Sequence, residues 1–519
     1  MGLSFKRGEI IAFRNPDILN VDTKRVTLER VLVALFQNIY SGGAPLKLKA
    51  RRKEHSIETL EGFVSKLEES GKIIGASENM EAVEDWLRSD LLEMVYRGNV
   101  VKEKVAALKP VHLLCFRVQN RKYCRDYMTA DQLYLMLRSH PEVLNGLKQY
   151  LQKGWDAASK SIVHSDNLDV NTTGVLMLTQ GLSGDESRGL NSTVDITKPF
   201  LEKQTDLFND DIRRLLLYQD KLPRVVFIDY LRILCGFHLA LYTMKLVMML
   251  PRMVELGTRD IPDDWSMVVD MTDNLDSRVS HYACSDTERL VNNYRAYVRA
   301  TYKFNLIQNT LRNENKDCSV RNVLKVIHDK SFEESEYRYL LNHLKEKLDD
   351  ENKKYLDEKL QYFDDTDYFN KYVYILESSN QGNSQCRFLK EFIDAVSMKN
   401  SPSMLLADGR SRRHARRGAM GSKLLETLVQ LMVIEKNEDG NYYTQALSID
   451  ELAEKIRCRY GLIINGVNDS RIEGADVDLH AAFKENMDAF KNKLRQIGFY
   501  TDLSDAYILQ KIHPRYKID

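Results

Sequence analysis

Apolar residues recur three and four positions apart along much of the chain, a spacing typical of helices that bury one face. Between Val26 and Tyr40 they occupy positions 28, 31, 32, 35, 36 and 39, and the glycines and proline of Ser41–Pro45 would end that helix. Ser56 is placed to cap a second helix. The same spacing indicates further helices over 129–151, 210–217 and 285–311. We therefore predict a mainly α fold.

The most apolar stretch spans residues 225–250 and raises the question of a membrane. Its longest uncharged run, Ile233–Met244, is shorter than the ~20 residues that a membrane-spanning helix needs. Charged or titratable residues interrupt the stretch at Asp229, Arg232, His238 and Lys245. We predict a helix buried in the centre of a cytoplasmic protein that does not enter the membrane, with His238 a core residue that has found hydrogen-bond partners.

Changes in pattern divide the chain into four predicted parts. Residues 1–110 are mixed and helical, with a short strand expected at Ile10–Phe13. Residues 111–330 form a helical core domain, with a buried strand expected at Val111–Val118. Residues 331–400 alternate opposite charges three and four positions apart, which favours an exposed helical connector. Residues 401–519 form the last domain.

The C-terminal part combines three helical patterns with strand-like runs. Leu424–Ile434 gives a first helix, and Ser448 with Glu451 forms a capping box that opens a second. A third carries an apolar stripe from Phe483 to Ile497, and the run 499–512 resembles a hairpin with a turn at 502–505. This order predicts a winged-helix-like α+β domain.

An arginine cluster precedes this domain, in a protein that is otherwise neutral. The chain holds 75 basic and 75 acidic residues, yet five arginines fall within residues 410–418. Guanidinium groups suit bidentate contacts to phosphates, so a flexible arm of this kind is typical of DNA binding. The predicted phosphate contacts are Arg410, Arg412, Arg413, Arg416 and Arg417.

The third helix of a helix-turn-helix module enters the major groove. We therefore expect the polar face of this helix to supply further phosphate contacts, ranked after those of the arginine cluster. That face carries Lys491 and Arg495, which suit phosphates better than bases. About twenty residues, 461–480, separate the second and third helices where a tight turn is usual. Because winged helices also bind proteins, a scaffold that docks a partner protein stays open as an alternative.

Sequence motifs give little support to catalysis. Asp270 and Asp273 follow a short apolar run and suggest a metal-dependent nuclease or phosphotransferase, but their spacing misses the Asp-x-Asp pattern. Loop capping explains them better. The seven cysteines are widely spaced without a CxxC pair, which argues against a zinc site or a disulfide framework. We expect neither a metal nor another cofactor.

Three segments carry a resemblance to a known family. They are LPRVVFIDYLRILCGFHLALYTMKLVMMLP (222–251), SRRHARRGAMGSKLLETLVQLMVI (411–434) and QIGFYTDLSDAYILQKIHPRY (496–516). The chain resembles bacterial proteins encoded in anti-phage defence islands, of the type named as components of the methylation-associated defence system. Such systems resemble extended restriction–modification, in which methylation marks self DNA. The resemblance implies other defence-system subunits as partners and an accessory role.

The residues and the resemblance together lead to one functional hypothesis. We expect a non-enzymatic subunit of a bacterial anti-phage defence complex that engages double-stranded DNA or assists assembly. The sequence leaves open the DNA recognised, the partner subunits, the oligomeric state and the role of the basic run 47–53.

Overall fold

The computed structural model describes residues 3–6, 8–44, 46–48, 56–97, 102–120, 122–163, 168–180, 186–188, 198–407, 409, 414–467, 477–500 and 511–518. Helices dominate these residues, which confirms the mainly α fold. The α-helices are Leu28–Ser41 (α1), Ile57–Glu69 (α2), Met80–Trp86 (α3), Thr129–Arg138 (α4), Pro141–Leu151 (α5), Val170–Gln180 (α6), Glu202–Leu216 (α7), Arg224–Leu256 (α8), Arg278–Asn292 (α9), Tyr294–Asn313 (α10), Val320–His328 (α11), Glu334–Glu346 (α12), Asp350–Leu360 (α13), Tyr368–Ser378 (α14), Asn380–Ser397 (α15), Ser422–Met432 (α16), Ile449–Tyr460 (α17) and Val477–Gln496 (α18).

The strands are short and pair two by two within the described residues. They are Leu46–Leu48 (β1), Leu92–Arg97 (β2), Lys102–Leu108 (β3), Trp155–Asp156 (β4), Ser161–Ile162 (β5), Glu186–Arg188 (β6), Met267–Val268 (β7), Leu406–Ala407 (β8), Arg417–Gly418 (β9), Ile434–Lys436 (β10), Tyr442–Thr444 (β11), Leu447–Ser448 (β12), Leu462–Ile463 (β13) and Lys511–Ile512 (β14). The antiparallel pairs are β1–β6, β2–β3, β4–β5, β8–β9, β10–β11 and β12–β14, and the pair β7–β13 is parallel.

Several helix predictions are confirmed and others need new boundaries. The first predicted helix is α1, and Ser56 caps α2 by accepting a hydrogen bond from the amide of Thr59 at 3.3 Å. The pattern over 129–151 splits into α4 and α5, because Pro141 can begin a helix but cannot continue one. The helix expected from Ser285 begins earlier, as α9, where the Ser277 hydroxyl accepts from the amide of Ser280. It breaks at Asn293 before α10 begins.

The two strand predictions for the first half of the chain are wrong. Residues 10–13 form no strand, and the Phe13 ring packs edge-on against Tyr302 with 5.4 Å between ring centroids. Within 111–118 the chain instead forms a 3-10 helix, Leu113–Arg117. The His112 side chain begins that turn by accepting from the amide of Leu114. An apolar run of this length does not distinguish a strand from a buried helical turn.

Helix α8 is the central element of the fold. It is 33 residues long, and 94% of its most apolar window, with a mean hydropathy of 1.7, is buried inside the protein. Helices α1, α7, α10, α11, α15 and α16 pack around it. By length and composition it could cross a membrane, but a helix that is apolar on all sides is equally typical of a protein core. The buried helix predicted for this segment is confirmed.

The charged residues that interrupt the apolar stretch of α8 have partners. Arg232 forms ion pairs with Glu29 of α1 and Asp229, and the Lys245 ammonium lies 2.9 Å from Asp263. These pairs matter because a charge without a partner is costly to bury.

His238, also on α8, is fully buried and belongs to a network of hydrogen bonds and ion pairs. Its Nε2 lies 2.8 Å from the Asp211 carboxylate, and its Nδ1 lies 2.9 Å from the Gln204 amide nitrogen. Arg459 and Tyr460 of α17 complete the network on Asp211. Burial alone would raise the pKa of Asp211, but the charge of Arg459 and the His238 hydrogen bond hold it below its usual value. His238 is thus a core residue with partners, as the sequence predicts.

The charged segment 331–400 is more than an exposed connector. Helices α12 and α13 present charged faces, whereas α14 and α15 pack against α10 and α15 also against α8. The N-terminus joins this layer, since the amide of Asn380 donates to the carbonyl of Leu3 at 2.7 Å. Among the described residues the larger of two hydrophobic clusters extends from Leu3 to Ile512, and the smaller lies around β7, β13, α9 and α18. The division into four domains stays a prediction.

The C-terminal helices follow their predicted order. Ser448 and Glu451 form the expected capping box of α17, with hydrogen bonds of 3.1 and 2.7 Å. Strand β14 returns to pair with β12, so the chain end lies beside the start of α17. The predicted hairpin turn at 502–505 lies outside the described residues. A winged helix therefore stays a prediction.

Stability should fall in mild acid because of His112. Burial, followed by the charge of Arg224, lowers the pKa of His112 from 6.5 to about 3. Between pH 6.5 and about 3, His112 is protonated in the unfolded chain but neutral in the folded chain. Stability is therefore lost as the pH falls below about 6.5, by up to about 1.4 kcal/mol per pH unit. In urea unfolding at pH 7, 6 and 5, H112N should show a smaller drop than the unsubstituted protein. Equal drops would contradict the assignment.

Candidate nucleic-acid interface

The arginine cluster lies in the connection of a short β-hairpin. Strands β8 and β9 pair antiparallel, with Leu406 opposite Gly418 and Ala407 opposite Arg417. They bracket residues 408–416, which contain most of the predicted phosphate contacts. Arg410, Arg412 and Arg413 lie outside the described residues. Arg416 and Arg417 are described, and both belong to the base of the hairpin.

A buried ion pair fixes Arg417. Its Nε lies 2.8 Å from Asp270, and a second guanidinium nitrogen lies 3.2 Å from Asp273. Arg417 is 3% exposed and Asp270 is fully buried, so water screens their attraction little. The other carboxylate oxygen of Asp270 accepts from the amide and hydroxyl of Thr272 at 2.9 and 2.7 Å. This pair holds the hairpin base to the segment that follows β7.

A backbone hydrogen bond also attaches the hairpin base to the segment that follows β7. The amide of Asp270 donates to the carbonyl of Gly418 at 2.9 Å, which sets β9 alongside the continuation of β7. A Cβ atom on Gly418 would lie 2.3 Å from the carbonyl oxygen of Val268, so only glycine fits there. On its other side β7 pairs with β13, and the buried amide of Asn486 bonds Val269, Ile464 and Met271. The hairpin, β7, β13 and α18 thus form one unit.

Arg416 makes the next attachment. Its guanidinium lies 2.7 Å from the Asp394 carboxylate of α15, and its carbonyl accepts from the Thr287 hydroxyl of α9. Burial raises the pKa of Asp394, although the charge of Arg416 opposes the shift. Two consecutive arginines of the cluster therefore point their charges into the protein.

Helix α18 brings further cations to the same region. The Lys493 ammonium lies 4.0 Å from Asp273, the carboxylate that also contacts Arg417. The predicted contacts Lys491 and Arg495 lie one turn apart on this helix, 5.2 and 6.0 Å from the centroid of the Tyr500 ring. Arg495 is exposed and Lys491 is half-buried. The structure thus brings the hairpin base and the basic helix together through Asp273.

The predicted phosphate contacts that the structure describes form two groups: Arg416 and Arg417 at the hairpin base, and Lys491 and Arg495 on α18. Arg416 and Arg417 hold carboxylates, so a direct contact of either with phosphate would require its ion pair to break. That they contact phosphates stays a prediction, as it does for Lys491 and Arg495. The structure adds a role that the sequence did not indicate, since both arginines attach the hairpin to the core.

The same ion pair bears on the alternative of a metal-dependent enzyme. Both oxygens of Asp270 are engaged, by Arg417 and by Thr272. No cluster of three or more histidine, cysteine or carboxylate side chains able to hold a metal occurs in the part of the chain that the structure describes. Asp273 adopts a left-handed backbone conformation, with φ of 56°, which aspartate tolerates in tight turns. The arrangement explains the two aspartates as anchors of the hairpin.

Sequence reasoning missed the acidic side of this site. Asp394 stood in a charged helix with nothing to distinguish it, and Asp270 precedes Arg417 by 147 residues. Asp286 was also missed, although its carboxylate accepts from the amide of Val268 at 2.8 Å and fixes β7. Asp270 and Asp273 after an apolar run were visible in the sequence, but their spacing does not indicate that Arg417 is their partner.

Comparison with known families identifies a match over most of the chain. The sequence model described as "Methylation-associated defense system protein MAD7" matches residues 9–516. No curated protein matches the chain.

Removal of Arg417 should destabilise the protein strongly, because it leaves the Asp270 carboxylate buried without a counter-charge. We expect R417Q to lose about 3–5 kcal/mol of unfolding free energy in chemical denaturation. The double variant R417Q/D270N should recover part of that loss, since it removes the orphaned charge. D273N is the matched control, because Asp273 is 67% exposed and exposed pairs contribute about 0–1 kcal/mol. Equal losses for R417Q and D273N would contradict a buried anchor.

Proposed function

Because the chain belongs to the family of methylation-associated defense system protein MAD7, we propose that it is a non-enzymatic, DNA-engaging subunit of that defence system. The DNA is double-stranded and is contacted through its phosphates. Other components of the system are its partners, and they supply any catalytic activity. The protein acts in the cytoplasm, with α8 in its core.

One observation carries the proposal: a cluster of arginines is mounted on a rigid base in a neutral protein. Two buried or half-buried ion pairs and a backbone hydrogen bond attach the base to β7 and α15. Arg410, Arg412 and Arg413 lie in the connection between the anchored strands. Guanidinium groups suit bidentate contacts to phosphates, and the anchored strands fix where the connection that carries these arginines begins and ends.

Helix α18 supports the same proposal as a second set of contacts. It lies beside the hairpin base and carries Lys484, Lys491 and Arg495. In the winged-helix arrangement that we propose for residues 401–519, this helix is the one that approaches the groove. Its basic side chains would contact phosphates, and two of them, Lys491 and Arg495, lie beside the Tyr500 ring.

A second candidate function rests on a different surface. Helices α12 and α13 and the turn after them expose three tyrosines: Tyr339 is 70% exposed, Tyr355 43% and Tyr362 80%. Tyrosine is enriched at the centres of protein interfaces and depleted on surfaces that contact only water. These exposed tyrosines favour a scaffold that docks another subunit of the defence system. The two functions are compatible, because the tyrosines and the hairpin lie on different elements.

DNA binding through the hairpin is tested by the salt dependence of affinity. Each phosphate contact adds about 0.9 to the slope of log affinity against log salt. In fluorescence anisotropy with duplex DNA, the triple variant R410Q/R412Q/R413Q should flatten that slope by up to about 2.7. Arg416 and Arg417 are left in place because they hold the fold.

The matched control removes three charges elsewhere, in K353Q/K354Q/K359Q on the exposed face of α13. It should leave the slope unchanged. Absent binding, or equal flattening in both triple variants, would contradict a specific role of the hairpin.

Docking through the tyrosines is tested by co-purification with the other components of the system after nuclease treatment. Truncation of an interface hot spot costs about 2 kcal/mol or more, which corresponds to about thirtyfold in affinity. We therefore expect Y339A/Y362A to lose bound components. Y443A is the control, since Tyr443 is a half-exposed tyrosine on β11. Full retention in the double variant would contradict this surface as the docking site.

A further inference from the structure

Helix α10 differs from the rest of the chain in its charge. It carries four basic residues and no acidic residue over its 20 positions. Since 75 of the 519 residues are acidic, a helix of this length would be expected to hold about three. The proposed function makes no use of α10, so its charge needs an explanation of its own.

Three of the four cations lie on one face of α10. Arg295, Arg299 and Lys303 are four residues apart, the spacing that places side chains in one row along a helix. At 1.5 Å per residue the row is about 12 Å long. Lys330, an exposed residue that follows α11, lies close enough to Lys303 for its charge to act on that ammonium group. We call these four residues the cationic row.

One buried carboxylate holds both arginines of the row. Glu377 of α14 is 2% exposed and lies 2.5 Å from Arg299 and 3.6 Å from Arg295. Another guanidinium nitrogen of Arg295 donates to the Asn383 side chain of α15 at 3.1 Å. The two arginine side chains are still 59% and 51% exposed. A single carboxylate thus orients two guanidinium groups and leaves a positive charge in excess at the surface.

The two lysines add further positive charge to the row. Neither Lys303 nor Lys330 forms an ion pair with a described residue. Asp367 attracts Lys303, but its carboxylate caps α14 by accepting from the amide of Asn370 at 3.1 Å. Burial and then the charge of Arg299 lower the pKa of Lys303. Because neighbouring cations repel one another, an anion that lies along the row would be stabilised.

The row begins where the arginine hairpin is attached. Arg416, at the hairpin base, pairs with Asp394 of α15. Its charge opposes the rise in the pKa of the Tyr294 hydroxyl that burial causes, so the guanidinium lies close to the first residue of α10. Arg295 is the next residue of that helix. The row therefore extends along α10 from the attachment of the hairpin.

We propose that the cationic row is a second contact surface for DNA phosphates, on the same duplex that the hairpin engages. The proposal rests on the proposed function, because it lengthens the DNA contact that begins at the hairpin. A strand of B-DNA carries one phosphate per ~3.4 Å of helix axis, so the row matches the length of about three or four phosphates. Contacts of this kind position a protein on a duplex without reading its sequence.

The row is tested by the salt dependence of duplex binding. The variant R295Q/K303Q/K330Q removes three charges but leaves Arg299 on Glu377, so the buried carboxylate keeps its counter-charge. In fluorescence anisotropy with the full chain, this variant should flatten the slope of log affinity against log salt by up to about 2.7. The α13 variant K353Q/K354Q/K359Q is again the control and should leave the slope unchanged.

Combination with the hairpin variant R410Q/R412Q/R413Q separates this proposal from the proposed function. If both surfaces contact one duplex, the combined variant should flatten the slope by the sum, up to about 5.4, and one duplex should bind per chain. Flattening by the hairpin variant alone would overturn the row and leave the hairpin in place. Flattening by the row variant alone would support the row and contradict the hairpin. Absent DNA binding, or two duplexes per chain, would overturn the shared duplex.

A partner protein with an acidic segment is the other occupant that the test can reveal. Loss of co-purified system components from R295Q/K303Q/K330Q after nuclease treatment, with an unchanged salt slope, would assign the row to protein and overturn the proposal. Urea unfolding shows whether the triple variant is folded. If it is not, R295Q alone, on an exposed residue, should flatten the slope by up to about 0.9, and an unchanged slope would overturn the proposal.

Discussion

The constraint on which this structure depends is the burial of the apolar 33-residue helix α8, 94% of whose most apolar window lies inside the protein. An apolar helix must be covered on every side, and in α8 the cover comes from α1, α7, α10, α11, α15 and α16, which span most of the chain. Its interrupting polar residues then need partners, and these come from Glu29, Asp211 and Asp263. Burial of one helix thus determines both the packing order of the others and the location of several charges.

The same rule, that a buried charge requires a partner, connects the core to the functional surfaces. Asp270 is buried where β7 ends, and Arg417 compensates it at the base of the hairpin. Trp265, two residues before β7, lies with its ring centroid 5.9 Å from the Lys245 ammonium of α8. The short segment from Trp265 to Asp270 therefore contacts the central helix at one end and the hairpin at the other. The hairpin base thus rests on a strand that Asn486 and Asp286 hold in place.

The sequence predicted local features well and long-range ones poorly. The capping box of Ser448 and Glu451 and the stripe of α1 depend on residues within one or two turns, so spacing alone identified them. The arginine cluster was evident as charge density, but the partners of Arg416 and Arg417 are carboxylates 22 and 147 residues away. The strand expected at Val111–Val118 failed because tertiary packing, rather than periodicity, decides the conformation of a short apolar run.

The network on Asp211 has a consequence for synthesis of the protein. Its counter-charge, Arg459, is 248 residues further along the chain. At ~5–20 residues per second a ribosome needs on the order of 10 s or more to supply it. During that interval α7 and α8 have emerged with a carboxylate that cannot yet be buried, and α8 still lacks α15 and α16. Apolar surface that is exposed during folding is prone to aggregate until its cover is synthesised. A chain that is truncated before Arg459 leaves Asp211 without its counter-charge, so we expect its core to be destabilised and not only its C-terminal surface to be missing.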